Sequence, residues 1–117
     1  MNKVYYLGNC STCKKIIDAL ELKKKKFEFQ DIKEEPITPA QLDEMAKLAG
    51  GYEPLFSRIA MKYRGMGLNN MTLTEKDYRR YILEEYTFLK RTTIITGKQI
   101  FIGSAKNTVA AAKEAVK

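Results

Sequence analysis

The spacing of hydrophobic residues changes along the chain, and each spacing predicts a different element. The apolar run at 3–7 stops at Gly8, which is typical of a short buried strand. From Ser11 the apolar positions recur every three or four residues, which predicts a helix that ends near Lys23. The residues on its apolar face are Cys13, Ile16, Ile17 and Leu20.

Alternating residues after this helix predict a second strand. Phe27 and Phe29 are separated by polar neighbours, as in a half-buried strand, and the pattern continues to about Ile32. Two strands joined by a helix form a βαβ unit, in which the strands are parallel and the crossover is right-handed. Residues 3–32 are therefore predicted to form such a unit.

The middle of the chain carries three helix signals. Segment 38–41 combines a threonine cap, a proline in the first helical position and a glutamine that completes a capping box, and Gly50-Gly51 ends this helix. A second helix is predicted from about Glu53, and Thr74 with Asp77 starts a third. The apolar residues of the second helix are Leu55, Phe56, Ile59 and Tyr63.

The last third of the chain returns to strand patterns before a final helix. Residues 92–96 are all β-branched, Gly97 and Lys98 form a two-residue turn, and residues 99–102 resume a strand. This arrangement predicts a β-hairpin. An Ala-rich helix follows, and its apolar face comprises Val109, Ala112 and Val116.

Together these elements predict an α/β fold with a thioredoxin-like four-stranded mixed sheet. The middle helices form a helical insertion at about 38–88, between the second and third strands. The length of 117 residues matches one compact domain, so we predict a single domain over residues 1–117. A hydrophobic content of 44% supports a core without disulfides or metals and excludes a mainly disordered chain.

Composition and charge exclude several classes of function. No apolar run reaches the roughly 18–20 residues of a membrane helix, and no signal peptide is recognisable, so we predict a cytoplasmic protein without a membrane partner. The chain contains no histidine, which excludes His-based catalytic triads and His metal sites. The net charge of +7 favours anionic partners, but no nucleic-acid-binding motif accompanies it, so no direct nucleic-acid contact is expected.

The two cysteines, Cys10 and Cys13, have a spacing that indicates redox chemistry. Cys10 falls where the first strand joins the first helix, so the helix N-terminus is expected to stabilise its thiolate. Cys13 lies one turn further on the apolar face and is expected to be shielded. We therefore predict that Cys10 attacks and that Cys13 resolves the mixed disulfide or sulfenic acid. The alternatives are two unreactive cysteines, or a metal site that a second copy of the chain completes.

Several short motifs extend this interpretation along nearly the whole chain. They are Asn9–Lys15, Asp31–Lys33, Pro36–Thr38, Gln41-Leu42, Tyr63–Leu68, Phe88–Arg91 and Ile102-Gly103. In this order and spacing the chain resembles the arsenate reductase (ArsC/Spx) family. The resemblance implies the same thioredoxin-like core with a helical insertion that the hydrophobic pattern predicts.

The resemblance implies a thiol-dependent oxidoreductase that reduces arsenate or a related oxidised or disulfide substrate. In that interpretation Cys10 is the nucleophile, Cys13 is the resolving thiol, and Arg91 is a catalytic arginine that holds the oxyanion. The predicted substrate-binding residues are Ser11, Thr12, Arg58, Arg91 and Thr92. No bound cofactor or metal is implied, and an external thiol reductant, either glutathione with glutaredoxin or thioredoxin, is expected to regenerate the protein.

Three departures from the family pattern keep an alternative open. Gly103 stands where glutaredoxin-dependent arsenate reductases have a third arginine, and Thr92 stands where the family has a cis-proline. The second cysteine, Cys13, is similar to the Spx branch, whose members are redox-sensing regulators that bind RNA polymerase. In that alternative a Cys10–Cys13 disulfide switches polymerase affinity, and Gly51 matches a glycine of the polymerase contact unless it only ends a helix. A degenerate domain without turnover is the third hypothesis.

Overall fold

A computed structural model describes residues 2–117 and divides the chain into two compact units. One unit comprises the chain up to Pro36 together with Arg91–Lys117. The other comprises Ile37–Lys90. The first carries the sheet and the two cysteines, and the second is helical.

The sheet unit contains a four-stranded mixed sheet with the order β2-β1-β3-β4. Its strands are β1 (Asn2–Tyr6), β2 (Glu28–Asp31), β3 (Thr93–Thr96) and β4 (Gln99–Ile102). β1 runs parallel to β2 and antiparallel to β3, and β3 runs antiparallel to β4. The predicted thioredoxin-like mixed sheet, with its helical segment between the second and third strands, is confirmed.

Helices account for most of the remaining regular structure. They are α1 (Ser11–Ala19), α2 (Pro39–Ala49), α3 (Met61–Gly65), α4 (Glu75–Glu84) and α5 (Lys106–Ala115). In the sheet unit, α1 and α5 pack with the strands in one hydrophobic core. The strands contribute Val4 of β1 and Ile94 of β3, which are paired in the sheet. The helical contributions to this core are Ile16, Ile17, Leu20, Ala112 and Val116. The apolar face predicted for α1 is therefore the buried one.

The helical unit begins and ends its longer helices where the sequence predicts. Thr38 caps α2 and forms the full capping box with Gln41, and Gly50 ends the helix in a left-handed conformation with a φ of 86°. Thr74 caps α4 through a second capping box with Asp77. Both caps satisfy N–H groups that a helix end leaves without partners.

The predicted second helix of this unit, from Glu53 through Tyr63, is wrong. Residues Glu53–Leu55 form one short 3-10 turn, and Phe56 is then extended. The extended segment pairs with the chain before β3, through the Lys90 N–H to the Leu55 carbonyl at 2.8 Å and the Ser57 N–H to the Phe88 carbonyl at 2.7 Å. A continuous helix cannot make these bonds. Ile59, predicted on the apolar face, is consequently 94% exposed.

Gly51 lies in the turn after α2, close to the Glu75 carboxylate that binds the backbone of this turn. Its φ is 151°, and a Cβ at this position would lie 2.6 Å from Oε1 of Glu75. That oxygen accepts the Tyr52 N–H at 2.7 Å, while Oε2 accepts the Glu53 N–H at 3.1 Å. Gly50 is the residue that ends the helix, so Gly51 serves the approach of the Glu75 carboxylate instead.

Gly51→Ala is expected to lower the free energy of unfolding by about 1–3 kcal/mol. Alanine is strained at this φ, and its Cβ would displace the Glu75 carboxylate, which accepts hydrogen bonds from two N–H groups. Urea denaturation followed by circular dichroism measures the change. The matched control is Gly65→Ala at the end of α3, where a Cβ meets no atom within 4 Å. A Gly51→Ala protein as stable as the Gly65→Ala protein would contradict the assignment.

Candidate active site

Cys10 lies at the N-terminus of α1, directly after the turn that follows β1. It is the N-cap residue of the helix, and its Sγ accepts a hydrogen bond from the Cys13 N–H at 3.4 Å. Its own N–H donates to the Leu7 carbonyl at 3.1 Å, and its carbonyl accepts the Lys14 N–H at 3.2 Å. The sulfur therefore lies among the N–H groups that the first helical turn leaves without intrahelical partners.

The turn before Cys10 is held by a contact with the end of β2. The Gly8 N–H donates to Oδ2 of Asp31 at 3.1 Å, while Oδ1 of Asp31 accepts the Lys33 N–H at 3.0 Å. A Cβ on Gly8 would lie 2.6 Å from Oδ2, so glycine permits this close approach. Asp31 thus acts as a positioning residue for the Cys10 turn. Asp31 belongs to one of the motifs that carry the family resemblance, but no local sequence pattern indicates this contact.

The pKa of Cys10 is lowered from the ordinary value of a thiol. Burial is the largest influence and acts in the opposite direction, but hydrogen bonds from the backbone and the side chain of Cys13 and from the backbone of Thr12 outweigh it. The guanidinium charge of Arg91 lowers the pKa further. Lys14 and Lys15 of α1 are exposed, and Arg91 is the cation that lowers the pKa of Cys10.

The thiol of Cys13 is in a contrasting environment. It is only 1% exposed, and burial raises its pKa above the ordinary value. The backbone of Leu7 and the hydroxyl of Thr92 lower it by a smaller amount, and the neighbouring Cys10 raises it. Both cysteines are free thiols. The site therefore pairs a half-buried sulfur that favours the thiolate with a buried sulfur that favours the thiol.

Alkylation by iodoacetamide is expected to modify Cys10 before Cys13, because only the thiolate reacts and Cys10 has the lowered pKa. The rate at Cys10 should rise with pH and reach its plateau below the pH at which an ordinary cysteine does. Cys13 should react only at higher pH, since its pKa is raised and its side chain is buried. Peptide mass spectrometry against pH measures both profiles, and equal rates at neutral pH would contradict this order.

Arg91 and Thr92 lie immediately before β3, in the same unit as Cys10. The peptide bond between them is cis, although the second residue is threonine. Arg91 is half-buried and close enough to act electrostatically on Cys10. The Thr92 hydroxyl is buried beside the Cys13 thiol without a well-formed hydrogen bond, and the Thr92 carbonyl accepts the Gly103 N–H at 3.0 Å. Gly103 has a φ of 92°, a left-handed conformation that favours glycine.

Ser11 and Thr12 form the first turn of α1 beside Cys10, and both side chains are exposed. Their backbone N–H groups belong to the set that a helix leaves for external acceptors, and the helix dipole favours an anion at this end. They are therefore suited to contact an anion through their backbone. The sequence predicts the same two residues in the substrate-binding set.

Arg58 belongs to the helical unit, where its guanidinium has partners of its own. Its Nη2 donates to Oε2 of Glu53 at 2.9 Å and to the Tyr78 hydroxyl at 2.9 Å. The guanidinium carbon also lies 5.6 Å from the centre of the Tyr78 ring. These contacts anchor Arg58 between the turn after α2 and helix α4, and its place in the predicted substrate-binding set remains a prediction.

Residues 2–117 contain neither a cluster of metal-ligating side chains nor a helix that could span a membrane. Groups of three or more metal-ligating side chains are not found among these residues. Within the same range, no helix combines the length and the apolar character that crossing a membrane requires.

The chain is similar to known proteins in both sequence and fold. A sequence model described as the ArsC family matches residues 5–112, which is most of the chain. That range includes both cysteines, Arg58, Arg91 and Thr92. No curated protein matches the sequence closely enough to count as a relative.

Solved structures with the same fold come from several bacteria. An arsenate reductase from Vibrio cholerae has a TM-score of 0.79 at 14% identity, over 94% of this chain and 95% of that chain. An arsenate reductase (ArsC) related protein from Brucella melitensis has a TM-score of 0.70 at 23% identity, over 94% and 92%. A protein from Staphylococcus aureus COL has a TM-score of 0.76 at 25% identity, over 95% and 97%. These matches extend over almost the full length of each chain.

Proposed function

Because the chain belongs to the ArsC family, we propose that it is a thiol-dependent oxidoreductase that reduces arsenate or a related oxidised or disulfide substrate. One observation carries this proposal. The Cys10 sulfur lies at the N-terminus of α1, where Arg91 and N–H groups favour its thiolate, and the Cys13 thiol lies beside it. A nucleophile, an anion-binding surface and a second thiol are the three components that such a reduction needs.

The anion is bound by positive charge that the chain already holds at this position. The backbone N–H groups of Ser11 and Thr12 and the guanidinium of Arg91 are donors for arsenate oxygens, with Thr92 beside them. A guanidinium can offer two parallel N–H donors to one oxyanion, which fixes its orientation as well as its charge. The same donors favour the thiolate of Cys10 before the substrate arrives.

In the first chemical step the Cys10 thiolate attacks the arsenic of arsenate, a sulfur–arsenic bond forms, and one arsenate hydroxyl takes up a proton from solvent and leaves as water. In the second step Cys13, having lost its proton to an arsenate oxygen, attacks the Cys10 sulfur. The sulfur–arsenic bond breaks with its electron pair on arsenic. Arsenic passes from the pentavalent to the trivalent state, and the two thiols become one disulfide. The sum is one arsenate and two thiols giving arsenite, a disulfide and water.

Regeneration requires a reductant from outside the chain. Thiol–disulfide exchange with glutathione and glutaredoxin, or with thioredoxin, converts the Cys10–Cys13 disulfide back to two thiols. A disulfide substrate enters the same cycle, since a thiolate attacks either a disulfide sulfur or an arsenic atom. We place this cycle in the cytoplasm, where thiols are kept reduced.

The test is steady-state reduction of arsenate, coupled to NADPH oxidation through the glutathione and glutaredoxin system or through thioredoxin. A small neutral disulfide is the parallel substrate, and Cys10→Ser is the matched control. We expect arsenate turnover that the Cys10→Ser protein lacks. Turnover of the disulfide alone would narrow the function to a general thiol reductase.

The alternative of a redox-sensing regulator that binds RNA polymerase uses the same thiol pair, and the same test separates it. A protein that forms the Cys10–Cys13 disulfide but turns over neither substrate would overturn the enzyme and favour the regulator. Binding of RNA polymerase to the oxidised and reduced protein would then be the next measurement. Arg91 lowers the pKa of Cys10, which either function requires, but only the enzyme also requires a cation that binds the oxyanion.

A further inference from the structure

The reduced site at the start of α1 presents two soft donors and no third one. Cys10 and Cys13 are the two cysteines of the chain, and the sequence contains no histidine. Both sulfurs are free, and the two residues are in contact, since the Cys13 N–H donates a hydrogen bond to the Cys10 sulfur at 3.4 Å. We propose that this reduced pair is a bidentate binding site for trivalent arsenicals.

The geometry of the first helical turn suits such a chelate. Two residues lie between the cysteines in the sequence, and the backbone nitrogen of Cys13 lies 3.4 Å from the Cys10 sulfur. One arsenic atom between the sulfurs leaves them further apart than a disulfide bond does. The two sulfurs of a chelate therefore need not come as close together as the two sulfurs of a disulfide. The chelate places one sulfur in the core and the other at the surface, because Cys13 is buried and Cys10 is half-buried.

The number of donors decides which soft ion fits. Zinc in proteins takes four ligands in a closed structural site, and this pair supplies two. Trivalent arsenic binds two thiols and keeps a third substituent of its own, which is a hydroxyl in arsenite and a phenyl group in phenylarsine oxide. Since Cys10 is half-buried, this third substituent can face solvent. The pair is complete for an arsenical without any further residue.

Binding is a substitution without electron transfer. Hydrated phenylarsine oxide carries two hydroxyl groups on arsenic, and two sulfur–arsenic bonds replace two arsenic–oxygen bonds. Each thiol proton leaves with a hydroxyl group as water, or solvent supplies it where Cys10 starts as the thiolate. Arsenic stays trivalent and both sulfurs stay at the thiol level, so no oxidant or reductant is consumed.

The chelate does not depend on turnover. Where the proposed function holds, however, each reductive regeneration exposes the pair to the arsenite that the cycle has released. The product then competes with arsenate for the same sulfurs, and this consequence rests on the proposed function.

The experiment adds phenylarsine oxide to the fully reduced protein under anaerobic conditions and measures the intact mass. We expect one phenylarsenic group in place of two thiol hydrogens. Excess 2-mercaptoethanol, a monothiol, should leave the adduct intact, whereas 2,3-dimercaptopropanol should remove it. In the Cys13→Ser protein the arsenical is held by one sulfur, so its apparent affinity in the presence of the monothiol should fall by about 100-fold or more.

Cys10→Ser is the second variant, and it keeps the test valid if Cys13→Ser does not fold, because Cys10 lies at the helix end outside the core. Both single variants should lose the monothiol-resistant adduct. Resistance that persists in either variant, or a wild-type adduct that the monothiol displaces, would overturn the inference. Arsenate reduction without this adduct would refute only the chelate, and the adduct without arsenate reduction would refute only the proposed enzyme.

Discussion

The Cys10→Ser protein is expected to reduce arsenate at least about 10³-fold more slowly than the wild type, as kcat/KM. The helix N-terminus and Arg91 favour a thiolate at this position, but a serine hydroxyl remains protonated there and cannot form the disulfide that takes up the electrons. The loss should appear with both arsenate and the neutral disulfide, since both begin with attack by the same sulfur. The coupled NADPH assay measures it.

The same variant controls for folding. Cys10 is the N-cap residue of α1 and is half-buried, and serine is among the preferred residues at that position. The midpoint of thermal unfolding should therefore stay close to that of the wild type. Turnover of arsenate that survives in a folded Cys10→Ser protein would show that another group begins the reaction.

Much of the sheet unit could be predicted because local patterns and tertiary packing agree there. The period of three and four from Cys13 to Leu20 marks the face of α1 that lies on the sheet, and β-branched residues mark β3. The caps at Thr38 and Thr74 are local as well, since each is complete within four residues of sequence. Contacts between residues that are close in sequence are the ones that a pattern records.

The parts that could not be predicted depend on partners far along the chain. Leu55 and Phe56 have the spacing of a helix, but backbone bonds to Phe88 and Lys90 hold the segment extended. Phe56 also stacks on Phe88, with ring centres 5.0 Å apart. No pattern within residues 53–63 records that distant strand-like partner, so the tertiary contact overrides the local preference.

The candidate site also contains residues that local patterns predict and contacts that they do not. Cys10 and Cys13 could be found from spacing alone, whereas Gly8 with Asp31 is a contact across 23 positions that only the parallel pairing of β1 and β2 creates. The family resemblance, and not a local pattern, predicts Arg91 as a site residue. Its place near Cys10 follows from topology, because β3 is antiparallel to β1 and the residue before β3 lies where β1 ends.

Arg91→Ala is expected to lower kcat/KM for arsenate by about 10²–10³-fold, the usual loss when one donor to an oxyanion is removed. Two effects combine in this loss. The guanidinium no longer binds the anion, and the pKa of Cys10 rises because a favourable positive charge has gone. The second effect reduces the thiolate fraction at neutral pH and disappears at high pH, where Cys10 is fully ionised. The coupled assay against pH separates the two.

A neutral disulfide substrate provides the sharper comparison for Arg91→Ala, since it carries no oxyanion and should lose only the part due to the pKa of Cys10. Arg91→Lys should fall between wild type and alanine, because it keeps the charge and loses the paired donors. Arg58→Ala is the matched arginine control: Glu53 and Tyr78 already engage that guanidinium, so a small change is expected. Equal losses for arsenate and the neutral disulfide at high pH would mean that Arg91 does not bind the anion. An arsenate-specific loss as large in Arg58→Ala would instead add Arg58 to the anion site.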